Sequence, residues 1–356
     1  MVASLARMPN LTLAEAQAQF EPEPGWLNTA SYGLPPRAAW DALQAMLADW
    51  RHGRTSWEHW DESTNRARAS FARLVGVPVD QVAIGSVVSP FVGLLAASLP
   101  PGTQVLVPEG EFTSNLFPYL VQQQARRLHV ETVPLESLLD KIQPGVGVVA
   151  VSLVQSSDGT VTDLGALATR AHDVGALVAV DATQAVGWLP VDARQADFLV
   201  CGGYKWLCSP RGSSFCVVSP ALRDTLVPQY AGWYAADDAH ASYYGPTMRL
   251  ANDARRFDTS PGWPAWVGTA PALELLEQVG IAQVHRHDVG LANRFRAGLG
   301  LEPSDSAIVA AQVADAERKL TAAGVRAASR AGSLRVSFHL YSTEADVDIA
   351  LDVLVG

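Results

Sequence analysis

Two residues in apolar surroundings carry the chain's most suggestive chemistry. Asp181 closes the run Ala176-Leu177-Val178-Ala179-Val180, and Lys205 follows the run Asp197-Phe198-Leu199-Val200-Cys201 and the pair Gly202-Gly203. Runs this apolar and branched read as strands buried on both faces of a sheet. A carboxylate and an amine at the carboxyl ends of two such strands face the crevice where open α/β sheets bind ligands. Lysine suits an aldehyde, because its amine condenses to a Schiff base and its pKa falls when it is desolvated. The acid suits a pyridine ring: a buried carboxylate keeps the ring nitrogen protonated, and the protonated ring can draw electrons from a substrate.

Other elements must position this pair. Val82-Ala83-Ile84 reads as a short strand, Gly85 to Pro90 as the turn after it, and Phe91 to Leu99 as a helix. Ser89 is placed to cap that helix and Pro90 to occupy its first turn, which leaves free N–H groups for a phosphate. Gln104–Val107 and Val146–Ser152 are further strands, Asp163–Val174 a helix, and Ser213–Val218 a short strand expected to return antiparallel. Leu13–Phe20 suggests a short helix. Trp40, Leu43, Met46, Leu47 and Trp50 recur at helical spacing after Pro35-Pro36. Tyr230 to Asp258 is irregular, and a helix pair runs from Pro271 to about Leu299. Leu334–Leu340 alternates as a strand before a final helix capped by Thr343.

Composition sets the bounds. With 356 residues, 48% hydrophobic and 17% charged, the chain is globular with ample core. A net charge of −10 with no basic cluster argues against a nucleic-acid partner. No apolar run is long enough to span a bilayer and no signal peptide is evident, so no membrane partner and a cytoplasmic location are expected. Cys201, Cys208 and Cys216 fit no zinc spacing and read as buried thiols. The eight histidines do not cluster, and His285 and His287 sit two apart on a helix, facing different ways. No metal is expected.

Val180-Asp-Ala-Thr-Gln-Ala-Val-Gly-Trp-Leu-Pro-Val-Asp192 and Gly202-Gly-Tyr-Lys-Trp-Leu-Cys-Ser-Pro-Arg-Gly212 resemble the core of the class V aminotransferases. This is the fold-type I pyridoxal 5′-phosphate family of cysteine desulfurases, kynureninases and isopenicillin epimerase-like proteins. The resemblance implies an α/β fold with a mostly parallel central sheet in a large domain and a small α+β C-terminal domain. Residues 1–26 would pack on the small domain, 27–265 would form the cofactor-binding domain and 266–356 the small one. It further implies a Schiff base on Lys205, Asp181 at the ring nitrogen, and Gln184 and Ser156 near the phenolic oxygen, with Ser156 standing where the family commonly has Asn. Phe112 would stack on the ring, where desulfurases use a histidine and kynureninases a phenylalanine.

The same resemblance assigns the remaining positions. Val88, Ser89 and Tyr204 would hold the phosphate, with a hydroxyl from Thr259 or Ser260 of a second copy in a homodimer. Arg256-Phe257-Asp258 stands for the family's Arg-Phe-Glu element. Arg335 would pair with an amino acid's α-carboxylate, and the segment containing Asn28 would border the substrate pocket. The implied activity is transamination or β-elimination on an amino acid, with a carbon–sulfur lyase or cysteine-independent desulfurase as the alternative. A degraded, non-catalytic cofactor-binding module is the reading from a different class.

Overall fold

The computed structural model describes residues 11–356, so residues 1–10 of the expected N-terminal segment lie outside it. Seven strands make the large sheet: β1 (Val82–Gly85), β2 (Gln104–Pro108), β3 (His129–Val133), β4 (Val146–Ser152), β5 (Leu177–Asp181), β6 (Phe198–Gly202) and β7 (Ser214–Val218). Their order is β1-β7-β6-β5-β4-β2-β3. Pairing is parallel from β3 through β6, and β7 runs antiparallel to both β6 and β1. The parallel strands are apolar because both sheet faces are covered. Val105, Val148 and Ala179 face one core, while Leu106, Val149 and Val180 face the other. The register sets Asp181 opposite both Ser152 and Val200, so β4, β5 and β6 end on one rim.

A second, antiparallel sheet has the order β8 (Ile308–Ala311), β10 (Ser333–Ser337), β9 (Ala328–Arg330). Helices Ile281–Gly298 and Glu344–Val355 cover it, burying Leu291, Phe295, Val336 and Val347 together. Thr343 caps the last helix as expected, in a capping box with Asp346. The segment after Pro24 joins this sheet: Leu27 N–H donates to the Arg326 carbonyl and its own carbonyl accepts from Ser337 N–H, each at 2.9 Å.

Three local expectations change. The helix after β1 spans Val88–Ser98, its N-cap is Val87 and no side chain caps it. Ser89 therefore lies inside the first turn rather than capping it. Pro90 fits there because first-turn N–H groups have no intrahelical partner to lose. The helix expected from Pro271 starts at Trp263 and runs to Val279, with Pro271 inside it. In the helix Arg37–Arg51, helical spacing is right but Trp40, Leu47 and Trp50 are exposed, and only Ala39 and Met46 are buried.

One buried ion pair ties the edge of the large sheet together. Arg68 donates to Asp258 through both Nη atoms, at 3.1 and 2.6 Å, and to the Val82 carbonyl at 2.7 Å. Asp258 Oδ1 also accepts from Ile84 N–H at 2.8 Å. Removing one partner strands a desolvated charge, which costs about 3–5 kcal/mol. Arg68→Ala is therefore expected to lower unfolding free energy by that amount in denaturant titrations. The double variant Arg68→Met/Asp258→Leu should recover much of it.

Candidate active site

The rim where β4, β5 and β6 end opens into a cavity of about 230 Å³. Eight residues expected to hold the cofactor line it: Val88, Ser89, Phe112, Ser156, Asp181, Gln184, Tyr204 and Lys205. Each lies at or just beyond the carboxyl end of a strand, which is why residues over a hundred positions apart converge.

Lys205 is buried, with Nζ 5.5 Å from the Phe112 ring centroid and 5.6 Å from that of Tyr204. Burial pulls its pKa down to about 8, against the opposing pull of Asp181. Burial likewise raises the Asp181 carboxyl, while the Thr183 hydrogen bonds and Lys205 favour its charge. Asp181 Oδ1 accepts from Thr183 N–H at 2.9 Å, and Thr183 Oγ1 accepts from Gly202 N–H at 3.0 Å.

The lysine loop is wedged between backbones. A side chain at Gly33 would drive its Cβ into the Lys205 carbonyl, and one at Gly187 into the Trp206 carbonyl. Gly187 also has φ +119°, which disfavours any side chain. Behind the loop, His339 contacts the Trp206 carbonyl through Nε2 at 2.9 Å and Asp288 through Nδ1 at 2.8 Å. Both partners are acceptors, so the ring carries two protons and a positive charge, balanced by buried Asp288.

Gln184 is fixed at both ends of its amide. Its oxygen accepts from Trp206 Nε1 at 2.7 Å, and its nitrogen donates to the Ala30 carbonyl at 3.0 Å and to Ser156 Oγ at 3.1 Å. Arg335, on β10, reaches the same serine: Nη1 donates to the Ser156 carbonyl at 2.6 Å and its hydroxyl at 3.2 Å. Nη2 donates to Ser31 Oγ at 2.8 Å. Arg335 is buried, its Nε has no partner, and no carboxylate pairs with it among the described residues. Burial lowers its pKa to about 10, still leaving it charged at neutral pH.

Arg335 does not itself line the cavity but touches it through Ser156, and two further expected residues stand apart. Asn28 does not line the cavity; its backbone bridges to Ser337, and its Oδ1 is buried without a partner. Ser260 is exposed and also outside the cavity, while Thr259 lines a neighbouring cavity of about 260 Å³ with Val87 and Tyr230. Other residues join the site beyond those expected. Arg211 lines the cavity and stacks its guanidinium 4.7 Å from the Tyr204 ring centroid. Glu111 is buried behind Phe112, accepting from Ser152 N–H at 2.7 Å, Phe112 N–H at 2.9 Å and the Ser152 hydroxyl. Its signal in the sequence is position: it is an acid in the loop after β2, as Asp181 is the acid that ends β5.

The geometry has counterparts among known proteins. The family model described as aminotransferase class-V matches residues 58–330. The uncharacterised aminotransferase YcbU of Bacillus subtilis is 28% identical over 348 residues, covering 90% of each chain. Kynureninase of Pseudomonas fluorescens is 30% identical over 320 residues, covering 80% of this chain and 73% of its own. The solved structure of cysteine desulfurase CsdA from Escherichia coli matches with a TM-score of 0.83 over 96% of this chain and 97% of that one. At 22% identity this last likeness speaks for the fold alone, a mostly parallel α/β fold of type I. With the family model spanning most of the sequence and the motif residues gathered at one rim, the chain belongs to the class-V aminotransferase family of pyridoxal 5′-phosphate enzymes.

Proposed function

We propose that Lys205 carries pyridoxal 5′-phosphate and that Arg335 presents an α-amino acid to it, for transamination or β-elimination. The observation that carries this reading is a buried, readily deprotonated Lys205 beside Asp181, with the buried Arg335 guanidinium on the far side of Ser156. The residues present suit the cofactor. Lys205 suits its aldehyde, Asp181 its ring nitrogen, Phe112 a ring face, and the free N–H groups at Val88 and Ser89 with Arg211 its phosphate. When bound, pyridoxal phosphate supplies an electron sink for the pair left when a bond to the α-carbon breaks.

The chain's own residues do the rest. Arg335 orients the substrate through its carboxylate, for which a guanidinium fork is the best match. Lys205 takes the α-proton and returns one. Phe112 can pack against a ring but moves no proton. A step that stores sulfur on a cysteine would need an accessible thiol, and the sequence has three cysteines. Cys201, Cys208 and Cys216 are all buried, and burial pushes the thiols of Cys201 and Cys216 up.

Ser260, outside the cavity in one copy, reaches a phosphate in the other copy of a homodimer. Exposed Trp40, Leu47 and Trp50 give apolar surface for such a contact. Among the described residues no helix is long and apolar enough to cross a membrane. Reduced, buried thiols suit a cytoplasmic enzyme. A screen of amino acids for keto-acid or ammonia release tests the reaction class.

Three outcomes are expected. In cofactor-free protein, acylation of Lys205 should rise through a midpoint near pH 8. Asp181→Asn should move that midpoint lower, because the carboxylate favours the ammonium form. Lys205→Ala should lose the cofactor's yellow colour and the borohydride-fixed label at this residue. For Arg335→Ala, kcat/KM toward amino acids should fall about 10²-fold or more. Arg335→Lys should restore only part of it, since the charge stays and the fork is lost.

A further inference from the structure

Arg330 ends β9 and pairs with Ser333 across the turn into β10. The two residues between them, Ala331 and Gly332, have φ of 47° and 80°. Two positive φ values in succession make the tight hairpin turn whose twist matches the strands, so the backbone at Arg330 is fixed although its side chain is exposed. Its Nη2 donates to Ser31 Oγ at 3.3 Å, the same hydroxyl that accepts from Arg335 at 2.8 Å. Arg330's other hydrogen bond goes to the carbonyl of Ser329.

One serine hydroxyl thus accepts from two guanidinium groups, and no carboxylate pairs with either among the described residues. Like charges held this close repel. Arg330 lowers the pKa of both Arg335 and Lys205, which places all three cations in one field. The chain has 36 acidic residues and a net charge of −10, yet none of those described neutralises the pair. An anion arriving with the substrate would. Arg335 is buried and suits a group brought into contact with Lys205, whereas Arg330 lies further out on the same hydroxyl.

We infer that Arg330 binds a second anionic group, on the side chain of the substrate. The substrate class is then a dianionic amino acid, its side chain ending in a carboxylate or a comparable oxyanion. This rests on Arg335 holding the α-carboxylate. The two contacts are ordinary charge-assisted hydrogen bonds, with no covalent step at either arginine. Selectivity comes from cost as well as attraction: a substrate with an uncharged side chain neutralises Arg335 through its α-carboxylate but leaves Arg330 without an anion of its own.

Calorimetric titration of the holoenzyme separates the claims without requiring turnover. The probes are succinate and glutarate against propionate and butyrate, which have no amine to react. Wild-type protein should bind the dicarboxylates about tenfold tighter than the monocarboxylates, or more. Arg330→Ala should erase that preference and Arg330→Lys keep part of it. Arg335→Ala should weaken both probe types. In turnover, the ratio of kcat/KM for aspartate over asparagine, or glutamate over glutamine, should fall about 10- to 100-fold in Arg330→Ala. Monocarboxylate binding that depends on Arg335 with no dicarboxylate preference, or a preference that survives Arg330→Ala, overturns the Arg330 assignment alone. Carboxylate binding that is absent, or indifferent to Arg335, overturns the α-carboxylate reading and this inference with it.

Discussion

Two opposite charges at the ends of neighbouring strands, Lys205 and Asp181, are held out of water, and the rest of the site is built around keeping them there. Both are buried, so each charge leans on the other, and Asp181 also accepts from Thr183 N–H. Burial favours the neutral amine and so primes Lys205 for an aldehyde. The enclosure that achieves it is mostly backbone: Gly33 and Gly187 let two other segments lie against the lysine loop, where any side chain would force it outward. The charged His339–Asp288 pair grips the same loop from the small-sheet side. A loop fixed on three sides holds its amine in place by packing, which is what a reacting group requires.

Ser156 joins the two halves of the site. Gln184, fixed by Trp206, donates to its hydroxyl, and Arg335 donates to its hydroxyl and its carbonyl. A shift in the small sheet that moves Arg335 therefore pulls on the residue beside Gln184. Gln184 of the large sheet and Arg335 of the small one share one serine.

Much of this was legible in the sequence, for physical reasons. Parallel strands with both faces covered must be apolar end to end, so β4, β5 and β6 show as runs, and the polar residues that end them stand out. Thr343 shows because a capping box is a local pattern. What stayed hidden depends on partners distant in the chain. The helix after β1 starts earlier than its serine suggests, because its first turn answers to the strand before it. Helical spacing in Arg37–Arg51 cannot tell a core face from one left open, and Trp40 and Trp50 are open. Glu111 and Ser31 have roles only through contacts with β4 and β10. Arg330 sits at the end of β9, where no motif marks it.

The pairing of Leu27 with Arg326 and Ser337 has a consequence for how the protein is born. Chains fold as they are made, from the N-terminus onward. The large sheet, with Asp181 and Lys205, is complete once β7 has been synthesised. The segment from Leu27 to Ser31, made long before, must wait for β9 and β10 to find its partners. A nascent chain thus passes through a stage in which the lysine is framed while the arginine side is missing.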